Sequence, residues 1–510
     1  MKLCNRICSI AVLCAVTAII LSAQTYTTLF AFGGTNGGSP AAALVQGADG
    51  QMYGTTVQGG INAETSPCGP TAGCGTVFKI TPNGTLTTLY SFCAFSLCPD
   101  GAAPNGALVQ TASGDFYGTT SGGGSSSSCA PFFYYGYYVP GCGTVFKVTP
   151  LGLLTTIYNF CSEIACADGA QPIGGLVQGS DGVFYGTTAS GGANNTGGTI
   201  FKITPDGDLT TLYSFCSLSG CADGQYPSGA LVQAANSALY GTTLNGGSSP
   251  YCGSVLPYLS GCGTVFKVTP SGAFTTVYSF CAQSSCADGA SPNAGLVQAT
   301  NSRFYGTTAR GGISESCSDC GTVFRVTSSG ALTTLYSFTG KDDGGFPNSS
   351  LIQASDGNLY GTTQFLLPTI FKITPAGSLT TVSGFPTGVE YSSALIQDTN
   401  GSLYATTSYG GQVNATCAFL CGTIYSLSVG LGPLVKLQPT SGPVGEAVEI
   451  LGNNLSGATA VSFNGAPATF KVVSDALIKA DVPSAATTGK VQVTTPGGTL
   501  VSDVSFRVHP

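Results

Sequence analysis

One pattern of four short apolar runs recurs seven times along this sequence and constrains its fold more than any other feature. In one copy the runs are 106–110 (Gly-Ala-Leu-Val-Gln), 117–120 (Tyr-Gly-Thr-Thr), 143–147 (Gly-Thr-Val-Phe-Lys) and 154–158 (Leu-Thr-Thr-Ile-Tyr). The copies are 44 to 68 residues apart, because the connections differ in length while the runs do not. The second run begins at Tyr53, Tyr117, Tyr185, Tyr240, Tyr305, Tyr360 and Tyr404.

Each run has the composition of a β-strand, since it is rich in β-branched and aromatic residues and is bounded by Gly, Pro, Asn or Asp. Turn pairs such as Asp181-Gly182 separate the first and second runs, and pairs such as Asn83-Gly84 separate the third and fourth. These pairs favour tight hairpins, because glycine adopts positive φ without strain. One repeat therefore predicts a four-stranded antiparallel sheet, the blade of a β-propeller. A β-solenoid is the alternative, but its coils would repeat in roughly half this length.

The two ends of the repeat region predict how the ring of blades closes. Residues 26–32 form a fourth run with no first three runs before it, and the last repeat has no fourth run after Tyr425. A strand from the amino-terminal region would complete the last blade and leave no open sheet edge. We therefore predict an all-β protein, with a seven-bladed β-propeller of four-stranded antiparallel blades that the N-terminal strand closes.

After Gly432 the pattern changes to short alternating strands, which predict a second, smaller β-domain. This stretch includes 439–443 (Pro-Thr-Ser-Gly-Pro), 452–455 (Gly-Asn-Asn-Leu) and 463–465 (Phe-Asn-Gly). These motifs resemble those of the IPT/TIG domain, which implies an immunoglobulin-like β-sandwich at the C-terminus. The repeats resemble the GloVer tandem repeat of secreted bacterial proteins, and this resemblance implies no catalytic residues.

The first residues have the pattern of a secretory signal. Lys2 and Arg6 precede an apolar run that ends at Leu21, and Ser22-Ala23 offers small residues for cleavage. An uncleaved anchor helix is the alternative, although the run is short for a bilayer. The predicted segments are a signal peptide at 1–23, the propeller at 24–430 and the IPT/TIG domain at 433–510.

Charge and residue types narrow the expected partners. Only 8% of the residues are charged, the net charge is -7 and Lys and Arg are scattered, so we expect no nucleic-acid partner. The sequence has one histidine, His509, and no nucleophile, phosphate-binding or metal motif, so we expect no cofactor and no enzymatic activity. We expect a monomer without a membrane span after signal cleavage, either secreted or held in the cell envelope.

The cysteines predict disulfide bonds. Of 21 cysteines, Cys4, Cys8 and Cys14 lie in the predicted signal, which leaves an even number in a chain with an export signal. One kind of pair follows the fourth strand with Cys-x4-Cys spacing, and the other kind lies in the loop before the third strand. The predicted pairs are Cys68–Cys74, Cys93–Cys98, Cys129–Cys142, Cys161–Cys166, Cys216–Cys221, Cys252–Cys262, Cys281–Cys286, Cys317–Cys320 and Cys417–Cys421.

Local pairing is the main hypothesis because each kind of pair occurs alone in at least one blade. The alternative in the blades with four cysteines is a cross-strand bond, such as one between Cys74 and Cys93, which the hairpin would place opposite each other. Zinc binding at Cys317 and Cys320 is a further alternative, although no second ligand pair of suitable spacing accompanies them.

Aromatic residues concentrate in two of the cysteine-rich loops and are the candidate ligand-binding residues. In a four-stranded blade, the second-to-third and fourth-to-first loops emerge on one face, so both kinds of cysteine pair reinforce that face. Tyrosine offers a flat apolar ring and a hydroxyl, which suit a sugar ring or a protein surface. The alternative is that the aromatic side chains fold back over the blades as a small core. The candidates are Phe132, Phe133, Tyr134, Tyr135, Tyr137, Tyr138, Tyr251 and Tyr258.

Two polar positions also recur in the repeats. An aspartate follows the fourth strand in five blades; calcium binding is one hypothesis, and turn formation is the main one. A glutamine ends the first strand in all seven blades, and we expect its amide to satisfy backbone groups near the axis rather than to line a channel. These residues are Asp100, Asp168, Asp223, Asp288 and Asp343, and Gln46, Gln110, Gln178, Gln233, Gln298, Gln353 and Gln397.

The sequence therefore predicts a secreted or cell-surface binding protein that recognises carbohydrate or protein through the disulfide-bonded loop face of the propeller. An extracellular enzyme that acts on polysaccharide is the alternative, for which the acid pairs Asp206/Asp208 and Asp342/Asp343 give little support. A purely structural envelope protein is a third hypothesis, since the propeller fold alone does not select a function.

Overall fold

The computed structural model describes residues 24–61, 68, 73–126, 128–129, 132–134, 137–194, 197–234, 236–256, 260–364, 367–386, 391–411 and 421–509. The predicted signal peptide, 1–23, lies outside this range. The described residues form seven four-stranded antiparallel sheets, which are the blades, and a C-terminal β-sandwich. The predicted fold class is therefore confirmed. In the described part of the chain, no helix has both the length and the apolar character needed to cross a bilayer.

Each blade follows the order first, second, third and fourth strand, from a two-residue first strand near the axis to the rim. The N-terminal strand is β1 (Thr25–Ala31), and blade 1 has β2 (Val45–Gln46), β3 (Met52–Thr56), β4 (Thr76–Ile80) and β5 (Leu86–Ser91). Blade 2 has β6 (Val109–Gln110), β7 (Phe116–Thr120), β10 (Thr144–Val148) and β11 (Leu154–Asn159), with the extra hairpin β8 (Phe132–Tyr134) and β9 (Tyr137–Val139) between its second and third strands. Blade 3 has β12 (Val177–Gln178), β13 (Phe184–Thr188), β14 (Thr199–Ile203) and β15 (Leu209–Ser214).

The remaining blades repeat this order. Blade 4 has β16 (Val232–Gln233), β17 (Leu239–Thr243), the short helix α1 (Cys252–Val255), β18 (Thr264–Val268) and β19 (Phe274–Ser279). Blade 5 has β20 (Val297–Gln298), β21 (Phe304–Thr308), β22 (Thr322–Val326) and β23 (Leu332–Ser337). Blade 6 has β24 (Ile352–Gln353), β25 (Leu359–Thr362), β26 (Thr369–Ile373) and β27 (Leu379–Gly384), and blade 7 has β28 (Ile396–Gln397), β29 (Leu403–Thr407), β30 (Thr423–Ser428) and β1.

Contacts inside each blade explain the residues of the repeat. In blade 3, a Cβ added at Gly186 would lie 2.5 Å from the ring of Phe201, so this position of Tyr-Gly-Thr-Thr has room only for glycine. The Oγ1 atoms of Thr188 and Thr199, on the second and third strands, lie 2.8 Å apart in a buried hydrogen bond. Both contacts fix the register of the two strands, because a slip of one residue would turn these side chains to the other face.

Contacts between blades use the aromatic residues of the same runs. Tyr53 of blade 1 stacks on Phe116 of blade 2, with ring centroids 4.1 Å apart. Phe92, which follows β5, packs edge-on against Phe146 of blade 2, with centroids 5.2 Å apart. These four rings are almost completely buried. Since burying one such side chain contributes about 1.5–3 kcal/mol, the aromatic repeat holds each blade against the next.

The ring closes as the sequence predicts, with β1 as the outer strand of blade 7. β1 pairs antiparallel with β30, from Thr25 opposite Ser428 to Ala31 opposite Thr423. Tyr26 stacks on the buried ring of Tyr425, with centroids 5.0 Å apart. The N-terminal strand is therefore held in blade 7 by main-chain hydrogen bonds and by aromatic packing.

The C-terminal β-sandwich consists of two sheets that enclose one apolar core. That core includes Ile450, Phe463, Val493 and Phe506, and the rings of Phe463 and Phe506 meet edge-on at 5.1 Å. The first sheet has the order β31 (Lys436–Gln438), β33 (Ala447–Leu451), β37 (Leu477–Asp481) and β36 (Phe470–Ser474). The second has the order β32 (Ser441–Gly442), β39 (Gly498–Val508), β38 (Gly489–Thr495), β34 (Ala460–Phe463) and β35 (Ala466–Pro467).

Candidate functional site

The propeller has two different faces. One carries the second-to-third loops and the fourth-to-first loops with their disulfides, and we call it the disulfide face. These loops contact each other: the N–H of Gly124 donates to the carbonyl of Cys98 at 2.8 Å. The opposite face carries the hairpin turns and contacts the β-sandwich, where Asn453 Nδ2 donates to Thr399 Oγ1 at 2.7 Å and Arg507 Nη1 donates to the carbonyl of Ala234 at 2.9 Å. The β-sandwich thus lies against one face, and the disulfide face is on the other side.

The recurrent glutamines lie near the axis at the opposite face and join neighbouring blades. Gln233 of blade 4 accepts the N–H of Ser180 in blade 3 at 3.1 Å and donates to the carbonyl of Ser237 in its own turn. Gln353 makes the same two contacts, with Thr300 of blade 5 at 2.8 Å and Gly357 of its own turn at 2.9 Å. The expectation that these amides satisfy backbone groups is met at both positions. Gln46, Gln110, Gln178 and Gln233 also line a cavity on the axis.

The disulfide bonds of the structure are local within each loop. The loop before the third strand is closed in blade 2 by Cys129–Cys142, and the sulfurs of this bond and of Cys161–Cys166 all lie within 4.8 Å of one another. The cross-strand alternative is not the pairing present, since Cys74 is bonded to Cys68. The bonds are Cys68–Cys74, Cys93–Cys98, Cys129–Cys142, Cys161–Cys166, Cys216–Cys221, Cys252–Cys262, Cys281–Cys286 and Cys317–Cys320.

The structure also bears on the zinc alternative and on the ninth predicted pair. Cys317 and Cys320, for which zinc is the alternative, are joined by a disulfide. Cys417 lies outside the described residues, while Cys421, its predicted partner, takes part in a disulfide.

Each recurrent aspartate organises the loop that precedes it, and this loop has the Cys-x4-Cys pair in every copy except that of Asp343. Asp223 is fully buried and accepts the hydroxyl of Tyr213 at 2.8 Å and the N–H groups of Ser217 at 2.9 Å and Leu218 at 3.2 Å. The four equivalent carboxylates accept a tyrosine hydroxyl and a backbone N–H in the same way. These contacts fit turn formation, since the carboxylate oxygens hold the loop backbone in place.

The tyrosines of these pairs predict a loss of stability at alkaline pH. Burial, together with the charge and hydrogen bond of the paired aspartate, raises the pKa of Tyr158, Tyr213 and Tyr336 to about 12. A tyrosine in the unfolded chain has a pKa near 10, so the folded protein keeps these phenol protons to a higher pH. The contribution of these tyrosines to the free energy of unfolding is therefore complete below about pH 10 and is lost as the pH rises to about 12. Urea unfolding at stepwise pH, with phenolate absorbance as the titration signal, measures this loss. Tyr213→Phe should reduce it, and an equal loss in this variant and in the wild type would contradict it.

The predicted aromatic loops lie on the disulfide face, and their backbone is only partly described. β8 and β9 form a hairpin whose base, Val139, is buried with residues of blade 1. Tyr251 lies beside α1 and is 39% exposed. Tyr135 and Tyr258 lie outside the described residues. For Phe132, Phe133, Tyr134, Tyr137 and Tyr138 the structure describes the backbone alone, so their role in binding stays a prediction.

The disulfide face also exposes large apolar side chains that the sequence analysis missed. They lie in the Cys-x4-Cys loops that follow blades 1, 2 and 3. Phe95 is 64% exposed, Leu97 86%, Ile164 94% and Leu218 56%. Leu97 has a φ of +67°. The equivalent residue in the loop after blade 3 is Gly220, which has a φ of +66°. A signal was present, because the repeats can be aligned on the cysteines and these apolar residues then all lie between the two cysteines of equivalent surface loops.

Comparisons with known protein families identify both kinds of domain. The profile of the Gloeobacter/Verrucomicrobia repeat matches residues 15–136 and 258–447, and that of the IPT/TIG domain matches 434–508. No curated protein matches this chain. The predicted domain boundaries at 23, 430 and 433 stay predictions.

Several solved structures are similar at low identity. A putative oxidoreductase (glucose dehydrogenase) from Thermus thermophilus is 14% identical, with a TM-score of 0.39 over 64% of this chain and 96% of that one. A luciferin-regenerating enzyme is 12% identical, with a TM-score of 0.38 over 65% and 93%. A protein of unknown function from Dyadobacter fermentans is 10% identical, with a TM-score of 0.42 over 79% and 96%. At these values no activity is transferred to this chain.

The repeat profile covers more than half of the residues, and its matches include the strands of blades 1, 5, 6 and 7. Blade 3, which lies between the two matched regions, has the same strand order and register. The chain therefore belongs to the Gloeobacter/Verrucomicrobia repeat family and ends in an IPT/TIG domain.

Proposed function

We propose that this protein works outside the cytoplasm, secreted or on the cell envelope, and binds a partner protein through the disulfide face of its propeller. A repeat propeller with an IPT/TIG domain fits an interaction or structural protein. Disulfides in most blades suit an oxidising compartment. One observation carries the proposal: the Cys-x4-Cys loops that follow blades 1 to 3 hold Phe95, Leu97, Ile164 and Leu218 in solvent.

These side chains favour a protein partner over a carbohydrate one. Aliphatic groups gain about 25 cal/mol for each Å² that a partner removes from water, whereas a polysaccharide offers mostly hydroxyl groups to such a surface. The loops are also held in shape by their disulfides and by the buried aspartates, as at Cys216–Cys221 and Asp223. A rigid loop loses little conformational entropy on binding, so more of the contact energy contributes to affinity.

We include the aromatic loops in the same surface. The hairpin of β8 and β9 and the loop that contains Tyr251 both emerge on the disulfide face. Tyrosine and phenylalanine are enriched at the centres of protein interfaces, where a flat ring and a hydroxyl serve together.

An enzymatic alternative has no comparable support in the described residues. The carboxylate of Asp343 accepts hydrogen bonds from Tyr336 and Thr339 and so belongs to the loop structure. Asp206 and Asp208 flank the turn between β14 and β15, on the opposite face from the disulfides. The acid pairs of the sequence therefore do not meet in one cleft there.

Substitution of the exposed apolar residues tests the proposal. The variant carries Phe95→Ser, Leu97→Ser, Ile164→Ser and Leu218→Ser, and the labelled full chain is titrated onto envelope preparations of the producing bacterium. We expect binding at least about tenfold weaker than that of the wild type, because each buried aliphatic side chain contributes about 1.5–3 kcal/mol.

The matched control is Leu151→Ser with Leu153→Ser. These leucines are 94% and 70% exposed in the turn between β10 and β11, on the opposite face. Equal loss of binding in both variants, or no loss in the first, would overturn the proposal. Protease treatment of the envelope should abolish binding; survival of protease with sensitivity to periodate would indicate a carbohydrate partner instead.

A further inference from the structure

A cavity of about 380 Å³ lies on the propeller axis at the centre of the disulfide face. All seven blades contribute to it through the residues just before their first strands, such as 105–107 in blade 2 and 348–350 in blade 6. At the other end of the axis, the β-sandwich contributes Gln438 and Arg507 to a second cavity of about 540 Å³, which four of the recurrent glutamines also line. None of the described residues that line the cavity at the disulfide face carries a formal charge. An ionic ligand would find no counter-charge, so the cavity suits a neutral molecule.

One side of the cavity holds a line of polar side chains in a fixed orientation. Ser228 Oγ donates to Asn293 Oδ1 at 2.7 Å, and Asn293 Nδ2 donates to Asn348 Oδ1 at 2.6 Å. In this chain of hydrogen bonds, the Nδ2 of Asn348 is the last donor, and the hydrogen bonds from Ser228 and Asn293 fix its orientation. Asn105 and Ser350 also line the cavity, and neither has a side-chain hydrogen bond within the described part of the chain. These amides and the hydroxyl can donate to and accept from a ligand.

The remaining wall combines small and apolar residues with several polar ones, among them Gln364. In the loops that line the cavity, the residue after the proline is asparagine in three blades, namely Asn105, Asn293 and Asn348. At the same position, blade 1 has Ala41 and blade 3 has Ile173. Two residues later the blades have alanine, glycine or serine, which leaves the space open. Tyr391 also lines the cavity, and its ring lies 5.2 Å from that of Tyr409. The cavity thus has a row of hydrogen-bonding side chains across blades 4 to 6 and a mixed wall that contains apolar residues and an aromatic ring.

We propose that this axial cavity is a binding site for a neutral sugar residue. A pyranose has hydroxyl groups around its edge, each a donor and an acceptor, and apolar C–H faces that pack on aromatic rings and small side chains. The volume lies within the range of small-molecule sites. The proposal goes beyond the protein–protein contact proposed for the loops, because it assigns a second ligand to the same face and does not need the loops to bind anything.

Binding of simple glycosides to the full chain with its disulfides intact tests this site. The probes are the methyl glycosides of glucose, galactose, mannose and N-acetylglucosamine at millimolar concentration, measured by saturation-transfer NMR and calorimetry, with glucuronic acid as the charged comparison. We expect at least one neutral glycoside to bind and glucuronic acid to bind more weakly. Asn348→Ala should weaken binding about tenfold, since one hydrogen bond to a buried ligand is lost.

Two further variants separate the cavity from the rest of the molecule. Ala107→Leu narrows the cavity and should weaken binding, whereas Asn83→Ala, an exposed asparagine in the turn between β4 and β5, should leave it unchanged. If no neutral glycoside binds, or if Ala107→Leu binds as tightly as the wild type in a chain with wild-type circular dichroism, the sugar site is wrong. The loop proposal is judged separately, because the four serine substitutions should leave glycoside binding intact and the cavity substitutions should leave envelope binding intact.

Discussion

Replacing Phe32 with alanine is expected to lower the free energy of unfolding of the propeller by about 3 to 5 kcal/mol. Phe32 follows β1, is fully buried, and packs edge-on against Phe78 of blade 1 with ring centroids 5.3 Å apart. It belongs to a core that contains Leu44 of blade 1 and Ile424 of blade 7. The substitution therefore opens a cavity at the seam where the last blade meets the first.

Phe30→Ala is the matched control, because Phe30 lies in β1 two residues before Phe32, contacts the ring of Phe32 and is only partly buried. It should cost less than half as much. Deletion of residues 24–32 removes the whole pairing with β30 and should abolish the cooperative transition. The chain has no tryptophan, so urea unfolding is followed by tyrosine fluorescence and circular dichroism. If Phe32→Ala costs no more than Phe30→Ala, the seam does not depend on this core.

The closure of the ring was predictable, and the place of the IPT/TIG domain was not. The run at 26–32 lacks partners in sequence, and only pairing with the last repeat satisfies its main chain. The contacts between domains rest on single polar groups, such as Asn453 with Thr399 and Arg507 with the carbonyl of Ala234. Such contacts do not recur along the sequence, because they join the surfaces of two different domains. The open face of the propeller follows from this docking and could not be inferred from the repeats alone.

The candidate site shows the same division between repeated and unique features. Local cysteine pairs could be inferred because the repeats allow one blade to be compared with another. The partners of the aspartates could not, since the tyrosine that each one accepts, such as Tyr213 for Asp223, lies in a strand where it looks like a core residue. The axial cavity was hidden for a different reason: Asn293 and Asn348 are far apart in sequence, and only the ring brings them to 2.6 Å.

Replacing Asp223 with alanine is expected to destabilise the propeller by about 3 to 5 kcal/mol, a large effect for one loop residue. Its fully buried carboxylate accepts hydrogen bonds from Tyr213, Ser217 and Leu218. The alanine variant leaves a phenol and two backbone N–H groups without an acceptor, and each such group costs about 1–3 kcal/mol. Asp223→Asn keeps one acceptor oxygen but places an amide NH2 among donors, so we expect an intermediate loss.

The control is Asp208→Ala, because Asp208 is exposed in the turn between β14 and β15 and should change the unfolding free energy by no more than about 0.5 kcal/mol. Amide hydrogen exchange provides a second readout: in Asp223→Ala, exchange should accelerate first at 216–223, while the strands of blade 3 change less. Because this loop holds Leu218 in solvent, the variant should also weaken envelope binding even under conditions where the blades remain folded. Unchanged exchange at 216–223 would mean that the disulfide Cys216–Cys221 holds the loop without the carboxylate, and the aspartate would then have no part in presenting the binding surface.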